Sequence, residues 1–238
     1  MPAKPLKRII SIAAVSTLMA ARCSAPDTAL EASTPAQPLP YLGEHDVQLN
    51  RKADGTVYPD TVYYTIPKFS FTNQQGSEVS HHQYEGKIFV ADFFFTTCNS
   101  ICPVMSSQMA RLQARVKNEG LENEVMFLSH TVKPEEDTPE VLMNYANSIG
   151  ADLTSWHFVT GNADDIYDLA QQGYMLTAFP SDTAQGGVFH TDKFTLVDNE
   201  MHIRGYYDGT STQSVDQLFD DLKTLLQETH DHKHTAGY

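Results

Sequence analysis

Residues 87–120, KIFVADFFFTTCNSICPVMSSQMARLQARVKNEG, decide how this chain folds. Lys87 to Phe95 is a nearly continuous run of aliphatic and aromatic residues, the pattern of a strand buried on both faces. Beyond the cysteines, Val104, Met105, Met109 and Leu112 fall at helical spacing, basic residues come late, and Gly120 marks a stop. Cys98 and Cys102 therefore sit at a strand-to-helix junction. Open α/β sheets place their sites there, at the carboxyl end of a strand and the amino end of a helix. The active dithiol of a thioredoxin fold occupies the same position.

Working outward, EVMFLSH reads as a second strand. TPEVLMNYANSIG reads as a helix capped by Thr138, with Pro139 at its first position and Gly150 as its stop. Trp156 to Thr160 is a third strand, NADDIYDLAQQ a helix capped by Asn162, and residues 189–209 a hairpin turning at Asp198-Asn199-Glu200. SVDQLFDDLKTLLQE is a closing amphipathic helix, and YYTIPKFSFTNQQG forms extended segments ahead of the first strong strand. Alternation of this kind predicts an α/β fold of thioredoxin-like type, a central mixed sheet flanked by helices with an added C-terminal hairpin region.

The chain has 238 residues, 41% of them hydrophobic, which suits one sizeable core with appendages. Thirty acidic against sixteen basic residues give a net charge of -14, a field that repels polyanions and excludes nucleic acid as the natural ligand. Residues 1–22 read as a signal peptide or membrane anchor: Lys4, Lys7 and Arg8 precede an apolar run, residues 9–21, too short for an ordinary span. Cys23 follows where bacterial lipoproteins carry their acylated cysteine, although Ala20 and Arg22 depart from that pattern. Cleavage near Ala25 and an uncleaved anchor are the competing outcomes. Residues 23–60 are read as this lipid-attachment candidate and a flexible linker, 61–229 as the folded domain, and 230–238 as a histidine-containing tail.

Helix N-terminal amides favour anionic sulfur, so both thiols are expected to act as thiolates. A disulfide staple, a redox dithiol and a metal site all remain open on these grounds. The staple is disfavoured because so short a loop constrains the unfolded chain little. The thioredoxin-type motif has two residues between its cysteines, whereas CNSIC has three, a wider bite that suits a soft ion such as Cu(I). Such a site wants a third ligand, and His190, in GGVFHTDKFTLVD after Gly186-Gly187, is the best placed histidine.

FFFTTCNSICPVM, VFHTDKFTLVD and GYYDGT together resemble the Sco/SenC family of copper-binding, thioredoxin-like proteins, with their Cys-x-x-x-Cys-Pro signature and distant histidine. Cys102 and His190 are 88 positions apart, similar to the family's spacing, and the likeness runs from about Thr61 to Glu228. The resemblance implies a copper metallochaperone that helps load the binuclear copper centre of cytochrome c oxidase. It implies Cys98, Cys102 and His190 as ligands of Cu(I) or Cu(II). It also implies a copper-receiving oxidase subunit and an upstream copper donor as partners, and an N-terminal anchor that holds an exported domain at the periplasmic or outer face of the bacterial cytoplasmic membrane. The alternative is a tethered thiol-disulfide oxidoreductase in which Cys98 attacks and Cys102 resolves. His190 discriminates, since dithiol exchange has no obvious use for it. No proline directly precedes the strand after His190, Pro180 standing ten residues before it, so the peptide-binding cis-proline loop of thioredoxin has no obvious counterpart.

Other features take structural readings. Met105 and Met109 suit the core, PEEDTPE lacks the spaced ligands of a calcium loop, and His81 and His82 read as solvated loop residues. His230, His232 and His234 read as a frayed terminus. Asp92, inside the strand leading to the cysteines, is either a buried structural carboxylate or part of the site.

Overall fold

The computed structural model describes Met1 and residues 37–181, 183–184 and 187–235, with side chains described as far as residue 231. The signal segment, Cys23 and most of the Pro/Ala-rich stretch lie outside the described residues, as does Gly186. Among the described residues, eleven strands and four α-helices follow in order. They are β1 (Asp46–Arg51), β2 (Val57–Val62), β3 (Ser70–Asn73), β4 (Glu78–Ser80), β5 (Ile88–Phe94), α1 (Cys102–Asn118), β6 (Val125–Thr131), α2 (Pro139–Ser148), β7 (Trp156–Thr160), α3 (Ala163–Asp168), β8 (Ala178–Pro180), β9 (Val188–His190), β10 (Lys193–Val197), β11 (Ile203–Asp208) and α4 (Thr212–Thr235).

Seven strands form one mixed sheet in the order β11-β10-β5-β6-β7-β3-β4. β5, β6 and β7 are parallel, joined by the crossovers that carry α1 and α2, while β10, β11, β3 and β4 add antiparallel edges. All seven residues of β5 are buried, as a central strand with both faces covered requires. On one face Phe94 meets Tyr145 of α2 and Phe158 of β7. On the other, Phe93 stacks on His130 and meets the ring of Tyr174 edge-on. Met105, Met109, Leu112 and Val116 give α1 its buried stripe, so both methionines are core residues. On its outer side, Arg111 and Arg115 both reach Asp216 of α4.

Local signals set the helix ends. The Thr138 side chain accepts from the Val141 amide at the start of α2, and Asn162 accepts from the amides of Asp164 and Asp165 at the start of α3. The β10–β11 turn is closed by Met201 N–H donating to the Asp198 carbonyl, with Met201 itself at φ 70°. No cis peptide bond occurs among the described residues.

Three expectations need correction. Residues 37–60, expected to belong to a flexible linker, are tied to the domain in part: the Leu42 amide donates to the Ile203 carbonyl, and Leu39 and Leu42 pack against the core. Arg204 holds the same segment, donating to the carbonyls of Leu39 and Pro40, and β1 and β2 pair as an exposed hairpin. Apolar residues spaced among prolines can dock on a neighbour even where they build no core of their own. His81 is buried rather than solvated, and His82 alone faces water. The C-terminal helix runs on to Thr235, and His230 pairs with Glu124 at 2.6 Å instead of fraying. The extended reading of YYTIPKFSFTNQQG holds: it supplies β3, which lies between β7 and edge strand β4 in the main sheet.

Candidate metal centre

Cys98 lies in the loop after β5 and Cys102 is the first residue of α1, with Pro103 behind it in the first turn. Ile101 provides no side-chain cap for this helix. The free amides therefore face the sulfur of Cys98, which hydrogen-bonds the backbone of Ser100 and Cys102. The Ser100 hydroxyl adds a contact at 3.4 Å. Both cysteines are free thiols, with 6% of Cys98 and 1% of Cys102 exposed.

His190 arrives from a different part of the chain. It ends β9, which pairs antiparallel with β8, placing Ala178 opposite His190. Its Nε2 lies 3.6 Å from Cys102 Sγ. Its Nδ1 lies 2.9 Å from the carbonyl oxygen of Thr191, and since a carbonyl only accepts, Nδ1 carries the proton and Nε2 presents a lone pair. The ring of Phe95 stands edge-on to the imidazole, centroids 5.5 Å apart, and Lys133 Nζ lies over the same Phe95 ring at 5.2 Å from its centroid. One donor atom from each of Cys98, Cys102 and His190 lies within 4.8 Å of the others. An open groove of about 320 Å³, lined by Phe95, Ser100, Ile101, Val188, Phe189 and His190, gives access from outside.

The two thiols are not equivalent, which corrects the expectation that both are poised as thiolates. Burial pushes Cys98 up, but hydrogen bonds from Cys102, Ser100 and the backbone outweigh it and leave the thiol below its ordinary range. Burial drives Cys102 far above that range, and the hydrogen bond with Cys98 and the charge of Asp92 add to the push. Burial also lowers His190, so the imidazole stays neutral, the form that ligates.

Asp92 is buried behind this junction, its carboxyl pushed up to about 7 by burial against a hydrogen bond with Ser129. It does not orient His190; the Thr191 carbonyl does. Sequence reasoning also missed Asp137. This fully buried carboxylate accepts from the hydroxyls of Thr96 and Thr131 and, at 3.2 Å, from the Thr96 amide, tying the cysteine loop to the end of β6. Nothing in the local pattern around PEEDTPE separates Asp137 from its exposed acidic neighbours.

The donor set is chemically coherent for copper. Two sulfurs and a neutral imidazole are soft to borderline ligands, and the second ring nitrogen has the backbone partner that ligating histidines normally have.

A family model described as SCO1/SenC matches residues 59–227. The SCO1 protein homolog of Bacillus subtilis is 30% identical over 171 residues, spanning 71% of this chain and 87% of the relative. Among solved structures, a SCO1/SenC family lipoprotein from Bacillus anthracis is 32% identical with a TM-score of 0.64, covering 68% of this chain and 95% of that one. BsSco, described as a member of the Sco family of cytochrome c oxidase assembly proteins with a disulfide switch, is 30% identical with a TM-score of 0.61, covering 68% of this chain and 93% of that one. Copper-bound Sco structures at 22% to 23% identity share the fold.

Proposed function

The chain belongs to the SCO1/SenC family, and from that premise we propose that it is a copper metallochaperone serving the binuclear copper centre of cytochrome c oxidase. Cys98, Cys102 and His190 hold the ion. The convergence of their three donor atoms within 4.8 Å, from two segments 88 positions apart, carries this reading. Copper is the cargo: thiolate sulfur selects Cu(I), and the added imidazole accommodates Cu(II). With both thiols deprotonated, Cu(I) leaves one net negative charge and Cu(II) leaves none, so both states can be carried.

Each residue has a distinct part. Cys98, with the lower thiol pKa and the greater exposure, is the sulfur an incoming donor or acceptor meets first. Cys102 gives up its proton only when the ion compensates the buried charge, which makes binding proton-coupled. His190 is held neutral and aimed by Thr191. The partners are a copper-receiving oxidase subunit and an upstream copper donor. The related lipoprotein supports an exported chain anchored at the bacterial cytoplasmic membrane, with Cys23, outside the described residues, as the lipid-attachment candidate. Among the described residues no helix is long and apolar enough to cross a membrane.

The asymmetry of the thiols supports a second activity at the same site. The Cys98 thiolate attacks a target disulfide, forming a mixed disulfide and releasing one target thiolate. Cys102 then displaces the second, leaving a Cys98–Cys102 disulfide and a reduced target. The oxidase cysteines, reduced in this way, would be ready for copper.

Copper stoichiometry and X-ray absorption on the reduced protein and its His190→Ala variant test the chaperone reading. One copper per chain with two sulfur donors, and a nitrogen donor lost in the variant, is expected. Full affinity in the variant would refute the three-ligand site.

A further inference from the structure

A second group of ligand-type side chains stands at the outer edge of the sheet. The chain leaves edge strand β4 into a single 3-10 turn, His81–Gln83. The Glu85 amide donates to the His81 carbonyl, which brings residue 85 back over residue 81. Ser80 and Gln83 brace the turn, the Ser80 amide donating to the Gln83 side-chain oxygen at 2.5 Å and the Gln83 amide group donating to the Glu78 carbonyl. Donor atoms of His81, His82 and Glu85 all lie within 4.8 Å of one another.

His81 decides what this cluster can do. Its Nδ1 faces the carbonyl oxygen of Phe69 at 3.3 Å, which makes Nδ1 the donor and leaves the lone pair of the neutral ring on Nε2. That Nε2 is buried and has no hydrogen-bond partner. It lies 3.8 Å from a Glu85 oxygen, an acceptor that cannot satisfy another lone pair. A buried acceptor of this kind is costly to leave empty. The imidazole of His82 lies against that of His81, ring centroids 3.9 Å apart, and Glu85 is kept below the ordinary carboxyl range by its hydrogen bond with His82.

We propose that His81, His82 and Glu85 form a second metal site, for a divalent first-row ion of the Zn(II) or Cu(II) kind. Two imidazoles and one carboxylate are the borderline donors such ions prefer, without the sulfur that selects Cu(I). The backbone carbonyl on the far nitrogen of His81 is the outer partner that fixes a ligating ring. In the sheet order β6, β7 and β3 lie between β5 and β4, so the site is built on elements separate from the thiol centre.

Zinc titration monitored by a competing chromophoric chelator tests this on the full chain carrying Cys98→Ser, Cys102→Ser, His230→Ala, His232→Ala and His234→Ala. One zinc per chain is expected to remain. Adding His82→Ala or Glu85→Gln should weaken it at least about tenfold with circular dichroism unchanged. His82 has 66% of its side chain exposed, and its ring and hydrogen-bond contacts are with His81 and Glu85 of the same turn, so that variant separates ligand loss from unfolding. No zinc in the background protein, or affinity unchanged by either added variant, overturns the site. With Cys98 and Cys102 replaced throughout, neither outcome bears on the copper reading.

Discussion

His190 Nε2 faces Cys102 Sγ at 3.6 Å, and it does so because the opposite nitrogen of the same ring is tied to the Thr191 carbonyl at 2.9 Å. The ring is therefore set before any ion arrives, so its removal should cost affinity rather than fold. His190→Ala is expected to lower copper affinity at least about tenfold, the loss typical when a metal site is disturbed even at its outer partners. Competition with a bathocuproine-type chelator reads the affinity, and an unchanged melting temperature reads the fold.

The unequal thiols predict unequal alkylation. In the reduced, metal-free protein iodoacetamide should modify Cys98 well before Cys102, as mapped by peptide mass spectrometry. Because the Cys98 pKa is depressed, its rate should approach its plateau at lower pH than a free cysteine, while Cys102 stays slow across the same range. Equal rates would contradict the asymmetry.

Asp198 sits at the β10–β11 turn, accepting from His202 and from Arg204 at 3.1 Å. Burial raises its carboxyl, but the His202 hydrogen bonds outweigh that and hold it below the ordinary value of 3.8. A depressed folded-state pKa stabilises fully above the unfolded value and is lost as pH falls through the folded one. Urea midpoints should therefore fall below about pH 4, and Asp198→Asn should lose part of that acid sensitivity while being less stable at pH 7.

Arg204 gathers Asp198, Glu228 at 2.7 Å, two carbonyls of the 39–40 segment and the face of Tyr41. Removing one partner of a buried ion pair costs about 3–5 kcal/mol. Arg204→Ala is expected to show that loss in denaturant titration and to open residues 37–42 to proteolysis.

Asp137→Ala removes the acceptor shared by Thr96 and Thr131. Hydrogen bonds to a charged group contribute about 1.5–3 kcal/mol each, so the variant should lose roughly that amount or more in urea. It should also bind copper more weakly, because Thr96 opens the loop that carries Cys98.

What the sequence determined by itself is whatever depends on neighbours along the chain. The apolar run of β5, the stripe of α1, the caps Thr138 and Asn162, and the turn at Asp198 are local signals, and each element forms where its pattern lies. The cysteine pair at the strand-helix junction follows from them. The tertiary structure alone decided the rest. β8 has three residues and too little pattern to announce itself, yet its pairing with β9 places His190. Two cysteines in one short motif read alike, but helix amides reach one sulfur while burial surrounds the other. His81 and His82 are adjacent in the chain and differ only in what packs over them. Register between distant segments and the dielectric around a group depend on contacts across the fold, which spacing along the chain does not encode.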